Sequence, residues 1–266
     1  MAWAVAKDGA RISYEVIGKK GAPALVMIQG LGVDRWGWVR QHAAFSTKYR
    51  VVLIDNRGAG RSDKPPGPYE LDVMADDVIA VLDREEIASA HVVGASLGGV
   101  LAQILAVRNV GRVDSLVLAC TACRVKDWRR ELLAEWIELA ETGDTSAFAL
   151  ENLRWVISNR HLRWLSPLSQ VVAPLAVRAP AYAVVAQMYA ILSITEQVHE
   201  LLTTITVPAL VIVGSQDILT PVADSEEIAA KIPGAELCVV AGAAHGMMVT
   251  NARVFNREVR SFLATA

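Results

Sequence analysis

Short apolar runs of strand length recur along this chain, separated by stretches in which apolar residues repeat at helical spacing. A-L-V-M-I-Q from Ala24 and V-V-L-I-D from Val51 are such runs, and segments 91–93, 115–118, 209–213 and 236–240 continue the series. A continuous apolar run of this length suits a strand buried on both faces. Between the runs, Leu71, Met74, Ala75, Val78 and Leu82 recur at helical spacing, with Asp72, Asp76, Asp77 and Asp83 in the other positions. That pattern predicts an amphipathic helix over 71–85. Further helices are expected from about Leu97, from about Ala223 and at the C-terminal end. Strands that alternate with helices predict an α/β fold: a mostly parallel sheet covered on both faces. Segments 3–6 and 12–17 flank Asp8-Gly9 and read as a hairpin at its beginning.

One region breaks the alternation. From Arg124 to about Thr204 the helical pattern dominates and no sheet strand is evident, and Trp128, Trp136, Trp155 and Trp164 place four of the seven tryptophans there. We read 1–123 and 205–266 as the core domain and 124–204 as an inserted helical cap. Most of these tryptophans are expected to build the cap's own core, with one or two facing a site.

Composition narrows the function classes. The chain has 266 residues, 53% of them hydrophobic, which is enough to bury one sizeable α/β core. A formal net charge of -2 provides no basic field for a nucleic acid or an anionic membrane surface. The odd count of three cysteines suits reduced thiols in a cytosol. Cys120 and Cys123 form a C-x-x-C with no second pair to complete a metal site. The N-terminal M-A-W-A-V-A-K-D-G lacks the apolar core of a secretory signal, so a cytoplasmic location is expected. The most apolar long segment, 171–192, carries Arg178 with Pro174 and Pro180 around it, and reads as buried helix rather than a membrane span.

Chemistry enters at V-V-G-A-S-L-G-G, beginning at Val92. A strand ending at Val93 and a helix starting near Leu97 leave only a sharp turn, and Gly94 and Gly98 supply the missing side chains that such a turn needs. Ser96 stands at its apex, beside a helix N-terminus whose partial positive charge favours developing negative charge. A serine is a weak nucleophile without a base, and the base needs an orienting acid. Of the five histidines, His42 and His199 lie in helical patterns, His91 leads into a strand and His161 sits between cap arginines. His245, in A-G-A-A-H-G, instead follows a strand, in a loop at that strand's C-terminal end. Asp217, in G-S-Q-D-I-L-T-P, lies in another such loop, and Asp224 is the fallback acid, assigned to the next helix.

With these residues in view, the chain resembles the α/β-hydrolase fold along nearly its whole length. G-A-S-L-G-G resembles the nucleophile elbow, G-S-Q-D-I-L-T-P the acid loop, A-G-A-A-H-G the histidine loop, and D-N-R-G-A-G-R-S-D-K-P the turn after the fourth strand. Within the superfamily it is most similar to the proline iminopeptidase, enol-lactonase and small carboxylesterase group. The resemblance implies an eight-stranded sheet, a triad of Ser96, Asp217 and His245, and an oxyanion hole from the main-chain N–H groups of Leu31 and Leu97. It treats Asp55, Arg57 and Ser62 as turn scaffolding. It also places the cap over the nucleophile, so Trp136, Trp155, Trp164, Met188 and Tyr189 are expected to line an apolar pocket. Arg154, Arg160, Arg163 and Arg178 are the competing signal for a carboxylate-bearing substrate.

Two departures matter. The family usually has His-Gly where this chain has Gln29-Gly30, so that loop is expected to be held differently. Gly30-x-Gly32 is no dinucleotide fingerprint, because Arg35 stands where the third glycine would fall. Ser96 argues against the dehalogenases of this fold, which use aspartate at the elbow, and Val100 against its menaquinone-pathway synthases, which place arginine there. The expected activity is hydrolysis of a small, mainly hydrophobic carboxylic ester or lactone through an acyl-enzyme. The alternatives are a carbon–carbon bond hydrolase, a cofactor-free perhydrolase or haloperoxidase, and a ligand receptor with an idle triad. No metal or organic cofactor is implied, the only partner expected is the small-molecule substrate, and the chain is read as a monomer or homodimer.

Overall fold

The computed structural model describes residues 1–143, 145–157, 179–194 and 196–266. Eight strands form one sheet: β1 (Ala2–Val5), β2 (Arg11–Ile17), β3 (Ala24–Ile28), β4 (Arg50–Ile54), β5 (Ala90–Ala95), β6 (Val113–Ala119), β7 (Ala209–Gly214) and β8 (Glu236–Val240). Their spatial order is β1-β2-β4-β3-β5-β6-β7-β8. The hairpin β1–β2 and its pairing with β4 are antiparallel, and every other neighbour is parallel. β3 is buried at every position, which is why its sequence shows no alternation. Side-chain period two then divides the core: Val26 and Ile28 face one way, Leu25 and Met27 the other.

The first face is covered by α2 (Leu71–Arg84), α3 (Leu97–Arg108) and α8 (Val222–Lys231), the second by α1 (Val39–Phe45) and α10 (Ala252–Leu263). In α2, Leu71, Met74, Ala75, Val78 and Leu82 are all buried, as their spacing demands. β8 differs from the interior strands. It is an edge with a neighbour on one side only, and Leu237 and Val239 in its apolar run are 40% and 44% exposed.

The chain between β6 and β7 contributes helices: α4 (Asp127–Glu141), α5 (Thr145–Val156), α6 (Ala181–Leu192) and α7 (Glu196–Leu201). Leu132, Leu133, Trp136, Phe148, Val184 and Met188 form a separate apolar cluster, against which Leu31 and Leu219 of two core loops also pack. Among the described residues no helix is long and apolar enough to cross a membrane.

The D-N-R-G segment is an anchored turn. Asp55 accepts hydrogen bonds from the Arg35 side chain and from the main-chain N–H groups of Arg35 and Arg61, Ser62 donates to the Asp55 carbonyl at 2.6 Å, and Arg57 grips Asp77 at 2.6 and 2.7 Å. All three are buried, Ser62 bonding Asp55 while Arg57 pairs with Asp77 and Asp8.

Candidate active site

Ser96 follows β5 and precedes α3 with φ 54° and ψ −118°, a backbone conformation that a non-glycine residue keeps only when its surroundings enforce it. The enforcement is visible in the hydrogen bonds. Ser96 donates its N–H to the Ala119 carbonyl at 3.0 Å, and Thr121 Oγ1 donates to the Ser96 carbonyl at 2.7 Å, so the end of β6 and the loop after it hold both sides of the turn. The flanking glycines answer to space: a Cβ on Gly94 would stand 2.2 Å from the Gly98 carbonyl oxygen, and one on Gly98 the same distance from that of Ile28. Only a side chain of hydrogen lets strand, turn and helix approach so closely.

His245 lies in the loop after β8, and Asp217 in the loop after β7. His245 Nδ1 stands 2.9 Å from Asp217 Oδ2, both residues being buried. Asp217 accepts further bonds from the N–H groups of Leu219 (3.0 Å) and Thr220 (2.9 Å) and from Thr220 Oγ1 (2.8 Å). Burial pushes this carboxyl up, but the charge of a protonated His245 and the donated hydrogen bonds outweigh it and hold it below the ordinary 3.8. An acid so fixed keeps the His245 ring oriented with Nε2 free of this pair. Asp224 is engaged elsewhere, buried against Arg129 and ion-paired with Lys126 at 2.7 Å. Of the other histidines, His91 bonds Ser115 Oγ at 2.8 Å and His199 pairs with Glu227 at 3.0 Å, while His161 lies outside the described residues.

The two cysteines are free, buried thiols rather than a disulfide. Burial and the neighbouring Asp217 charge push the Cys120 thiol well up, and burial followed by Glu227 pushes Cys123 to about 12, so neither supplies a thiolate near neutral pH.

Ser96 and His245 open onto one cavity of about 370 Å³. Leu31 and Leu97 also line it, and neither donates its main-chain N–H to another described residue. Leu97 is the first residue of α3, where such groups are left over by helix geometry. Gln29 is buried, and its side chain folds back to accept from the Gly30 N–H at 3.2 Å while its carbonyl takes a bond from Asn56 at 2.8 Å. The loop is thus held by Gln29 itself and by Asn56, without a histidine.

The cap residues fare unequally. Trp136 lines the cavity. Trp155 does not: it stands behind, edge-on to Trp136 and stacked on Trp128, with its indole N–H on Glu151. Met188 is fully buried in the cap's own cluster, and Tyr189 is 45% exposed on the outer surface, so neither lines it. A helix has one face toward the site, and α6 presents another at these positions. Trp164, Arg160, Arg163 and Arg178 lie outside the described residues, and Arg154 points to solvent beside Glu151. Among the described residues, the cations at the wall were not singled out in the sequence: Arg124 and Arg129, each matched by a carboxylate, Glu227 and Asp224. Thr121 and Thr220 were missed too, although Thr220 sits inside the acid-loop string itself.

The α/β hydrolase fold family matches residues 23–252. The chain belongs to that family. It is 30% identical to 3-oxoadipate enol-lactonase 2 of Acinetobacter baylyi, over 95% of this chain and 92% of that protein. It is 31% identical to a putative carbamate hydrolase, RutD, of Caulobacter segnis, over 96% and 97%. Among solved structures, the enol-lactonase from Burkholderia xenovorans superposes with a TM-score of 0.92 at 28% identity, over 99% of this chain and 100% of that one. This α/β-hydrolase is therefore a hydrolytic enzyme that shares its whole length with these relatives.

Proposed function

We propose that this α/β-hydrolase cleaves a small, uncharged, largely apolar carboxylic ester or lactone through an acyl-enzyme on Ser96. The observation that carries the reading is that a strained, cavity-facing serine and an Asp217-oriented histidine open onto the same pocket. The names of the relatives support its chemistry, since enol-lactones and carbamates are both attacked at an acyl carbon bearing a heteroatom leaving group.

In this mechanism His245 Nε2 takes the Ser96 hydroxyl proton as Oγ attacks the carbonyl carbon. The tetrahedral oxyanion receives the N–H groups of Leu31 and Leu97. Collapse expels the alcohol oxygen, which takes the proton from His245 and leaves the acyl group on Ser96. Water then repeats the sequence, with His245 as base, to release the acid and restore the serine.

The wall argues for the substrate class. Trp136, Leu133, Val100 and Val125 line it, and burying an apolar substrate there stabilises the complex by about 25 cal/mol per Å². Among the described residues both arginines at the wall already face carboxylates, so no unmatched cation is offered to a substrate carboxylate. The test is a panel of neutral esters and lactones alongside their carboxylate-bearing analogues, with a fluorophosphonate to label the serine. We expect stoichiometric labelling at Ser96 and faster turnover of the neutral members. Labelling without turnover of any member would point to a receptor, and faster cleavage of the charged analogues would overturn the substrate class.

A further inference from the structure

Helix α6, A-Y-A-V-V-A-Q-M-Y-A-I-L, is apolar but for one amide, Gln187, and that amide has no exposure at all. Burying it is unfavourable unless both of its ends are bonded. Both are, and to core loops rather than to the cap. Gln187 Oε1 accepts from the Gly32 N–H at 2.8 Å, and Nε2 donates to the Arg57 carbonyl at 2.7 Å. Gly32 is the residue after Leu31, and Arg57 belongs to the anchored turn. One side chain of the cap therefore ties the loop that carries Leu31 to the anchored turn after β4.

We propose that Gln187 is a positioning residue for turnover. By holding the Gly32 N–H it fixes the Leu31–Gly32 peptide and with it the direction of the neighbouring Leu31 N–H. The Leu31 loop then takes its working conformation only when α6 is docked. Two further contacts show α6 docked on the chain just beyond the anchored turn: Tyr182 donates to the Lys64 carbonyl at 3.1 Å, and a Cβ on Gly67 would meet Ala186 at 2.5 Å. An apolar residue at 187 would fill the space, but it would leave Gly32 N–H and Arg57 C=O without partners. The inference rests on the serine-hydrolase reading and on Leu31 as an oxyanion donor.

The test compares Gln187→Leu and Gln187→Glu with the parent enzyme and with Ser96→Ala, using an activated ester, a boronic acid that forms a tetrahedral adduct on serine, and thermal melts. Gln187→Leu is expected to lower kcat by about ten- to a hundredfold, less than outright loss of an oxyanion donor, with KM within about threefold. Boronate affinity should fall by a similar factor. Gln187→Glu has nearly the same shape. When protonated it accepts from Gly32 and donates to Arg57, whereas when ionised it opposes the Arg57 carbonyl. Its kcat relative to the parent should therefore approach unity at acid pH and fall as pH rises, read well below the melting transition at each pH so that the stability lost on ionising a buried carboxyl is not counted as lost kcat. If Gln187→Leu does not fold, the pH profile of Gln187→Glu decides. Unchanged kcat in Gln187→Leu, a kcat ratio in Gln187→Glu that does not vary with pH, or a rise in KM alone would overturn the positioning role while Ser96→Ala remained inactive. Retained turnover in Ser96→Ala would instead sink the serine reading beneath it.

Discussion

The sheet and the cap meet the substrate cavity from opposite sides and are built by different rules. In the sheet, each chemical residue stands at the C-terminal end of a strand: Ser96 after β5, Asp217 after β7, His245 after β8. Main-chain pairing fixes where those ends fall, so the positions hardly depend on side chains elsewhere. Among the described residues of the cap there is no such lattice. Its helices are placed by Trp136, Phe148 and Met188 packing among themselves, and by single polar ties to the core. Arg129 donates to the Leu219 carbonyl at 3.0 Å, the Val156 carbonyl accepts from Gly246 N–H at 2.7 Å, and Gln187 holds Gly32. Each tie reaches one of the loops that carry Asp217, His245 or Leu31. In the mechanism we propose, the sheet places the chemistry and the cap adjusts it.

That division is sharpest at the nucleophile. Ser96→Ala is expected to lower turnover by about four to six powers of ten, with the melting temperature little changed, because a methyl group fits the elbow. His245→Ala should do comparable damage. Near-normal hydrolysis by either purified variant would break the comparison at its base. Next comes the acid. Asp217→Asn should cost about four powers of ten in kcat by favouring the wrong imidazole tautomer. Asp224→Asn should instead leave most of the turnover and lower stability by about 3 kcal/mol, because it strands the buried Arg129 charge. If Asp224→Asn were the inactivating change, the acid would belong to the cap's anchor.

In the cap, effects should fall on binding and stability together. Trp136 is 2% exposed and edge-on to Phe148 and Trp155, so Trp136→Ala should cost about 3–5 kcal/mol and raise KM for apolar esters. Thermal melts and Michaelis curves on one preparation would separate the two. A smaller effect is tied to pH. Because the Asp217 carboxyl is held below 3.8 in the folded protein, its contribution to stability is present above that value and is lost as pH falls through the lower folded one. The stability gap between the parent and Asp217→Asn should therefore narrow on acidification below about pH 4, as read from denaturant midpoints. Smallest of all is Tyr189→Ala. With the ring 45% exposed and away from the cavity, kcat/KM should stay within about twofold.

Ser96, Asp217 and His245 were legible because each belongs to a short string whose strand is announced by an apolar run. Local position, a loop for Asp217 and a helix for Asp224, was also the ground for expecting Asp217 to be the acid, and Asp217 is the carboxylate found beside His245. Trp155, Met188 and Tyr189 were legible only as large side chains in a helical insertion. Which way they point depends on how α4, α5 and α6 rotate against one another, and no periodicity in a uniformly apolar helix such as α6 records that rotation. Gln187 passed unnoticed for the same reason: an amide in an apolar helix looks like a tolerated exception until its partners, far away in sequence, are seen.

By itself, the sequence determined the alternation of strands and helices, the elbow with its space-driven glycines, and the residues at the strand ends. These depend on neighbours a few positions away, where period, turn chemistry and steric exclusion act directly. The tertiary structure alone decided that Asp224 pairs with Arg129, that Arg124 and Arg129 at the cavity wall are matched by carboxylates, that Trp136 faces the pocket while Trp155 stands behind it, and that Gln187 reaches Gly32. Each of these is a contact between segments distant in the chain, selected by burial and by the need to pair every buried polar group, and neither requirement leaves a local pattern to be read.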